Sequence, residues 1–518
     1  MSMQKNASKI SAATFLSRIL GLVREQIFAA VLGAGYFADA FIFAFRIPNL
    51  FRDLFAEGAL SQAFVPTIAK FKEKQSQPAT LAFFQSMLAM LILIVGFLVV
   101  LGMFLAPVFV DYIAPGFADI PGKRDLTIHL TRILFPFLLF VSCSALFMSV
   151  LNVYQEFLRP ALAPAVFNLC SIGVGVWVYF ADFSNQTAVY AWAIATTLAG
   201  LAQASIQVPK LWRYGYRLIP KFKGVFAHPG VKTVLWLMLP AIIANAGTQV
   251  NVLVNTSLAS LLEEGSISWL NYAFRLMQLP IGVFGVAISV VTLSQVSTLI
   301  AQNKVEDYKK NVSTALSFTL LLTLPSTIGL LFLGQPIIAM IYQRGLFTLY
   351  DTQNTFTALY FYSFGLPFYA GVKVLAPIFF AFDKSKIPTY ASLTGIGVNI
   401  VFNLMYYKTL GHGGLALGTS LAMLVNFLIL LITLHIQEGI FVWSSIVKSS
   451  TKIFTASAVL ATLCMYVWPW LNAYAVIPSF IRLLLFIACA GSIYFVFLMV
   501  LKTEEVYALQ QKLKKLLP

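Results

Sequence analysis

The run Met87–Val110 carries no charged side chain, and a surface helix of a soluble protein does not tolerate that. Ile328–Met340 and Leu421–Leu434 are equally apolar. In lipid, every backbone polar group must be satisfied within the chain, which leaves helices or closed barrels. A barrel would need short segments of alternating polarity, and none occur. Charged residues make up 10% of the chain and hydrophobic ones 59%, whereas soluble domains carry about 25% charged residues. The sequence therefore predicts an all-α polytopic membrane protein of about fourteen transmembrane helices. The expected spans lie near 10–33, 37–66, 80–110, 126–151, 160–181, 187–209, 232–262, 268–300, 311–341, 352–381, 387–407, 413–436, 441–468 and 477–501.

The formal net charge is +16, yet its distribution argues against a nucleic-acid partner. With both termini cytoplasmic, 23 basic residues fall on the inner side and only Lys123, Arg124, Arg344 and Lys408 in outer loops. That asymmetry follows the positive-inside rule and fixes an even number of spans. Lys5 and Lys9 before an apolar stretch resemble a signal peptide, but Arg18 and Arg24 interrupt that stretch and no cleavage site follows. It reads as a retained first span. Cys143, Cys170, Cys464 and Cys489 fall inside spans as small packing residues, with no disulfide or zinc spacing. The four histidines are scattered, so no metal site is expected.

The longest hydrophilic connection, Lys210–Lys232, is rich in Lys, Arg, Gly and Pro. It separates two groups of six spans, and a short echo relates them. AFRIPNL at Ala44–Leu50 resembles AFRLMQL at Ala273–Leu279, in corresponding spans. Parallel repeats of this kind place a substrate site between the halves. The expected division is an N-terminal lobe at 1–222, a C-terminal lobe at 223–437, and a terminal pair of spans with a cytoplasmic amphipathic tail at 438–518. The terminal pair is nearly devoid of ionisable residues apart from Arg482 near one end.

Charge within the spans is the functional signal. Residues 14–57 are apolar enough for a membrane yet hold Arg18, Arg24, Asp39, Arg46, Arg52, Asp53 and Glu57. Each charge at a bilayer centre costs ~2.5–3.5 kcal/mol on insertion scales, so such residues face a water-filled cavity. The excess is cationic, which points to an anionic guest. Asp39, Arg46, Asp53 and Glu57 share one face of an α-helix, with Arg52 about a third of a turn away unless Pro48 redirects the chain. For Arg46, Asp53 and Glu57 two readings stand: an internal ion-pair ladder, or gating and counter-ion groups. For Arg18, Arg24 and Arg52 substrate binding is favoured, because the guanidinium fork matches phosphate oxygens and stays charged. Arg275 is the corresponding cation in the eighth span, and Lys373 is a further intramembrane cation with snorkelling as its alternative. No nucleophile–base pair, nucleotide-binding loop or metal-ligand set appears, so neither catalysis nor ATP as a driver is expected.

The stretch GLVREQIFAAVLGAGYFADAFIFAFRIPNLFRDLFAEGALSQAFVP (21–66) closely resembles the opening of the MurJ/MviN lipid II flippases, within the multidrug/oligosaccharidyl-lipid/polysaccharide exporter superfamily. APGF at Ala114–Phe117, YAFRLMQLP at Tyr272–Pro280, YQRGLFT at Tyr342–Thr348 and VKVLAPIFFAFDKSKIPT at Val372–Thr389 extend the resemblance along the chain. It implies fourteen helices in two six-helix lobes plus a terminal pair forming an apolar groove for a polyprenyl tail. The implied activity is transfer of lipid II, the undecaprenyl-pyrophosphate-linked peptidoglycan precursor, across the bacterial cytoplasmic membrane. Arg18, Arg24, Asp39, Arg52 and Arg275 are the implied cavity residues. Partners expected from this are lipid II or a related glycolipid, membrane lipids, and proteins of cell division and wall synthesis. The family's second-lobe motif usually reads Tyr-Ala-Asp-Arg, and some members carry an acid where Gln278 stands. Here Phe274 precedes Arg275, so a carboxylate beside that arginine is missing.

Other functions fit less well. A flippase for another polyprenyl-linked oligosaccharide is the nearest alternative. A cation-coupled drug exporter would favour isolated carboxylates over arginines. An intramembrane enzyme acting on polyprenyl pyrophosphate would need an acid–base or metal constellation that is absent. With no cofactor in view, the membrane potential is the expected energy source and the coupling ion stays open.

Overall fold

In the computed structural model, residues 3–439, 443–473 and 478–507 are described; the side chains of 3–11, 56–57, 244 and 443–446 lie outside that description, as does the segment 508–518. Glu57 and most of the expected amphipathic tail therefore fall outside the described residues. All the described regular structure is helical. Two compact units are present: Met1–Ser268 together with Arg344–Thr348, and Trp269–Gln343 together with Leu349–Pro518.

In the first unit, α1 (Met3–Leu32) leads through a tight connection into α2 (Tyr36–Phe51), a π-helical turn (Arg52–Leu60) and α3 (Ser61–Lys74). The Gly33 turn (φ +65°) receives the Arg344–Thr348 segment. Leu346 N donates to Ala30 O at 2.9 Å, and a Cβ on Gly33 or on Gly345 (φ +58°) would sit 2.7 or 2.2 Å from the opposing carbonyl oxygen. Only glycine permits both the backbone angle and the approach. Next come α4 (Gln77–Phe104), α5 (Ala106–Ile113), α6 (Lys123–Leu134), α7 (Phe137–Val153), α8 (Leu158–Phe180), α9 (Asn185–Ser205), α10 (Val208–Arg213) and α11 (Pro229–Ser260). Pro78 starts α4 where its missing N–H is harmless, and Ser184 caps α9 by accepting from Thr187 N. Hydroxyls inside these helices fold back on the preceding turn: Thr127, Thr131, Ser142 and Ser149 each donate to the carbonyl four residues earlier. That satisfies them without water.

The second unit holds α12 (Ser266–Pro280, which begins at the boundary), a π-helical turn (Ile281–Gly285), α13 (Val286–Ala301), α14 (Val305–Tyr342), α15 (Leu349–Ala381), α16 (Lys386–Glu438), α17 (Trp443–Thr462), α18 (Trp468–Ala473) and α19 (Ser479–Val500). The 53 residues of α16 would measure about 80 Å if straight, against a hydrocarbon core of about 30 Å. Gly411 breaks it at φ 57°, ψ −148°, separating the two spans expected there. Leu321, Leu333, Ile453, Trp468, Phe486 and Tyr494 pack into one core, and the Tyr494 hydroxyl donates to Leu321 O at 2.9 Å.

Among the described residues, ten helices are long and apolar enough to cross a membrane, or eleven if the bent α11 is counted as one span. The chain is a multi-pass membrane protein. The expected fourteen exceeds this for a physical reason. The stretches 3–32 and 36–74 carry the intramembrane charges and fall outside the apolar set, and α16 counts once despite its break.

Candidate substrate-binding site

The sequence-selected charges divide between the units. Arg18, Arg24, Asp39, Arg46, Arg52 and Asp53 lie in the first; Arg275 and Lys373 lie in the second. Arg18 is on an exposed face of α1. Arg24, two turns on, is largely buried. Its Nη2 donates to Glu25 Oε1 at 2.6 Å, and its guanidinium lies 5.3 Å from the centroid of Phe167. Helix α8 brings that ring to α1, held by Asn168 Nδ2 donating to Ser17 O at 3.0 Å. The aromatic face supports the guanidinium while its fork is engaged by the Glu25 carboxylate.

Arg52 repeats this arrangement. It opens the π-helical turn, and its Nε and Nη2 donate to Asp53 Oδ1 at 3.2 and 2.9 Å. The wider π register means that an α-helical wheel stops describing the chain beyond Phe51, so the common face expected for Asp39, Arg46, Asp53 and Glu57 does not extend through the turn. Arg46 is half-buried on α2. In both pairs an arginine is neutralised by the adjacent carboxylate, so an incoming phosphate can take the carboxylate's place at the fork.

Asp39 sits differently. It is 2% exposed, in the first turn of α2, and each of its oxygens is engaged. Gly265 N donates to Oδ2 at 2.8 Å; Ser268 N and Oγ donate to Oδ1 at 2.9 and 2.6 Å. Lys123 Nζ donates to Oδ2 at 3.3 Å. Lys123, expected in an outer loop, is fully buried. Its ammonium also approaches Glu264 Oε2 at 3.8 Å and the Phe117 ring at 4.7 Å. The APGF motif thus supplies an aromatic wall for a buried cation. Glu264 is tied in turn by Tyr36 N, which donates to its Oε1 at 2.9 Å.

In the second unit, Arg275 and Gln278 are both exposed and, three residues apart on α12, share a side. Phe274 meets the rings of Tyr362 and Tyr369 edge-on, at centroid separations of 5.4 and 6.3 Å. Position 274, where the resemblance led to the expectation of an acidic residue, is thus part of an aromatic cluster. Lys373 is exposed on α15. Farther along, α17–α19 form a half-open cavity of about 480 Å³ lined by Leu463, Val467, Trp470, Leu485, Phe486 and Ile493. Arg482 borders it but is clamped to Asn472 O at 2.7 Å and Ser479 Oγ at 2.9 Å.

Sequence reasoning overlooked Glu25 and Lys123. Glu25 was visible beside Arg24, where neighbours on an α-helix are assumed to diverge. Lys123 lies 84 residues from Asp39, and only the folded chain pairs them. Among the described residues no cluster of His, Cys, Asp or Glu could hold a metal ion.

Residues 28–488 match the family model of the lipid II flippase MurJ. A probable lipid II flippase MurJ from Buchnera aphidicola subsp. Acyrthosiphon pisum is 34% identical over 90% of this chain and 89% of its own length. The lipid II flippase MurJ of Burkholderia cenocepacia is 36% identical over 83% of each. A solved structure of lipid II flippase MurJ in an inward closed conformation superposes with a TM-score of 0.78 at 29% identity, covering 94% of this chain and 97% of that one.

Proposed function

Because this chain belongs to the lipid II flippase MurJ family, we propose that it carries lipid II from the inner to the outer leaflet of a bacterial cytoplasmic membrane. It is a transporter, not an enzyme. The observation that carries the reading is similarity at 34–36% identity along most of the chain, joined to intramembrane arginines suited to a pyrophosphate. Both termini are assigned to the cytoplasm on the distribution of lysine and arginine.

Arg18, Arg24 and Arg52 of the first unit and Arg275 of the second are the proposed anion-binding side chains, with Asp39 at the edge of the same charged stretch. At rest, Glu25 and Asp53 neutralise Arg24 and Arg52. When the headgroup arrives, phosphate oxygens replace these carboxylates at the forks, and the released carboxylates rehydrate. On the outer side the exchange reverses. Arg24 and Arg52 therefore return with their counter-ions in place and never cross the low-dielectric interior as bare charges. Arg46, Glu57 and Lys373 are proposed as gating or counter-ion groups. The apolar cavity of α17–α19 is suited to the isoprenoid tail, and the clamped Arg482 leaves it free of a competing anion site.

The reaction moves a charged lipid and breaks no covalent bond, so no cofactor is invoked. An interior-negative potential favours outward movement of negative charge by ~2.3 kcal/mol per charge per 100 mV. The test is depletion of the protein from growing cells, followed by labelling of lipid II from outside. The expected result is loss of externally accessible lipid II while synthesis inside continues. Unchanged external lipid II in fully depleted cells would refute the assignment.

A further inference from the structure

The connection between α9 and α11 does more than join two spans. Its inner side is fastened to the first unit. Leu211, Tyr216 and Val225 are buried, and the Tyr216 hydroxyl lies 3.1 Å from that of Tyr154. Lys221 N donates to Gln85 O at 3.1 Å, and the His228 ring stacks on Phe83 at 5.4 Å. Gln85 stands eight residues inside α4, which begins at Gln77, or roughly 12 Å along its axis. The connection therefore lies against the flank of an apolar span rather than beyond its end.

Its outer side has an unusual composition for a loop. Trp212, Ile219, Phe222 and Phe226 are 60%, 58%, 49% and 49% exposed. Between them stand Arg213, Arg217, Lys221 and Lys223, all exposed. No acidic residue occurs between Asp182 and Glu263, and among the described residues the acidic partner of this stretch is Glu156, which pairs with Lys210 at 2.7 Å. Large apolar side chains alternating with unneutralised cations, at the depth of a span's second turn, match the boundary between hydrocarbon and headgroups. Tryptophan and phenylalanine enter the acyl edge while arginine and lysine meet phosphate. A nucleic acid or an acidic protein would answer the charge alone. It would leave four large apolar groups in water and would not explain why the segment is pressed against α4.

We infer that the 206–228 connection is a docking surface for anionic phospholipid headgroups of the leaflet it faces. The inference is independent of lipid II transport. The full chain is reconstituted in nanodiscs of phosphatidylcholine and phosphatidylglycerol, then gently extracted, and the retained lipids are counted by native mass spectrometry. Wild-type protein should retain phosphatidylglycerol over phosphatidylcholine, with a preference that falls as salt rises. Each basic residue near an anionic surface is worth about fivefold in binding. Arg213→Gln/Lys221→Gln/Lys223→Gln should therefore lower the preference by up to about a hundredfold. Lys304→Gln/Lys310→Gln/Lys386→Gln, which removes equal charge from the second unit, should leave it unchanged, and Lys221→Arg/Lys223→Arg should preserve it. Should the triple linker variant fail to insert, the salt dependence and the Lys→Arg variant still decide. No preference in the wild type, a preference insensitive to salt, or equal loss in both triple-Gln variants would overturn the inference. So would binding of a single-stranded oligonucleotide to wild type in pure phosphatidylcholine that phosphatidylglycerol fails to displace.

Discussion

Replacing Asp39 by alanine should be among the most destabilising single changes in the first unit, and the structure sets the scale. The substitution strands the ammonium of Lys123, whose side chain is 1% exposed, and removes the acceptor for Gly265 N, Ser268 N and Ser268 Oγ. Breaking a buried ion pair by deleting one partner costs ~3–5 kcal/mol. Glu264, 3.8 Å from the same ammonium, recovers part of that, which brings the expected loss to about 3 kcal/mol. Lys123→Met removes the stranded charge, so Asp39→Ala/Lys123→Met should lose less than the sum of the single changes. A coupling of about 1.5–3 kcal/mol is expected, as for contacting residues in one network. Chemical unfolding of the purified protein in detergent, followed by intrinsic fluorescence, measures all four corners of the cycle. Additive single-mutant effects would refute the pairing. A fully stable Asp39→Ala protein that failed only in lipid II binding would show that the carboxylate serves the substrate instead.

Arg275→Ala, Arg24→Ala and Arg52→Ala should each abolish complementation of a depleted strain while membrane insertion stays normal; full activity of Arg275→Ala at normal expression would remove that residue from the site. Lipid II carrying a photoreactive tail should crosslink to α17–α19, and a headgroup label to α1, α2 and α12; headgroup crosslinks concentrated on α17–α19 would reverse the assignment. Collapsing the membrane potential with proton and sodium gradients held fixed should slow lipid II export, because two negative charges gain roughly 4–5 kcal/mol per 100 mV on crossing; undiminished export would exclude the potential as the driver. Burial, with Lys221 second, holds the His228 imidazole below its usual range, and the neutral Nδ1 accepts from Gly230 N at 3.1 Å. That contribution is intact above pH ~6.5 and is lost as pH falls from there through the lower folded value. Amide exchange at 230–232, corrected for its intrinsic pH dependence, should rise over that window, and His228→Asn, which keeps a capping acceptor, should flatten the dependence.

The legible and the hidden parts of this protein divide along a physical line. Apolar runs such as Met87–Val110 declared helical spans because lipid leaves the backbone no other solution. The arginines declared themselves because a charge in such a run is costly enough to require a reason. Local geometry was less accessible. The π-helical turn at Arg52–Leu60 leaves no periodic signature, so a wheel drawn from Asp39 to Glu57 carried an α-helical register into a segment without one. Gly411 looks like any loop glycine in sequence, yet its positive φ separates two spans that are otherwise one continuous helix. Tertiary pairing was hidden altogether. Lys123 reads as a solvated outer charge until α6 is packed beside α2, and only then does it become the buried partner of Asp39. Phe274 shows the same limit from the other side. As a departure from the family motif it signals a lost carboxylate, but the rings of Tyr362 and Tyr369 around it show what replaced it. Phe274 thus gives Arg275 no adjacent carboxylate of the kind that Glu25 and Asp53 give Arg24 and Arg52.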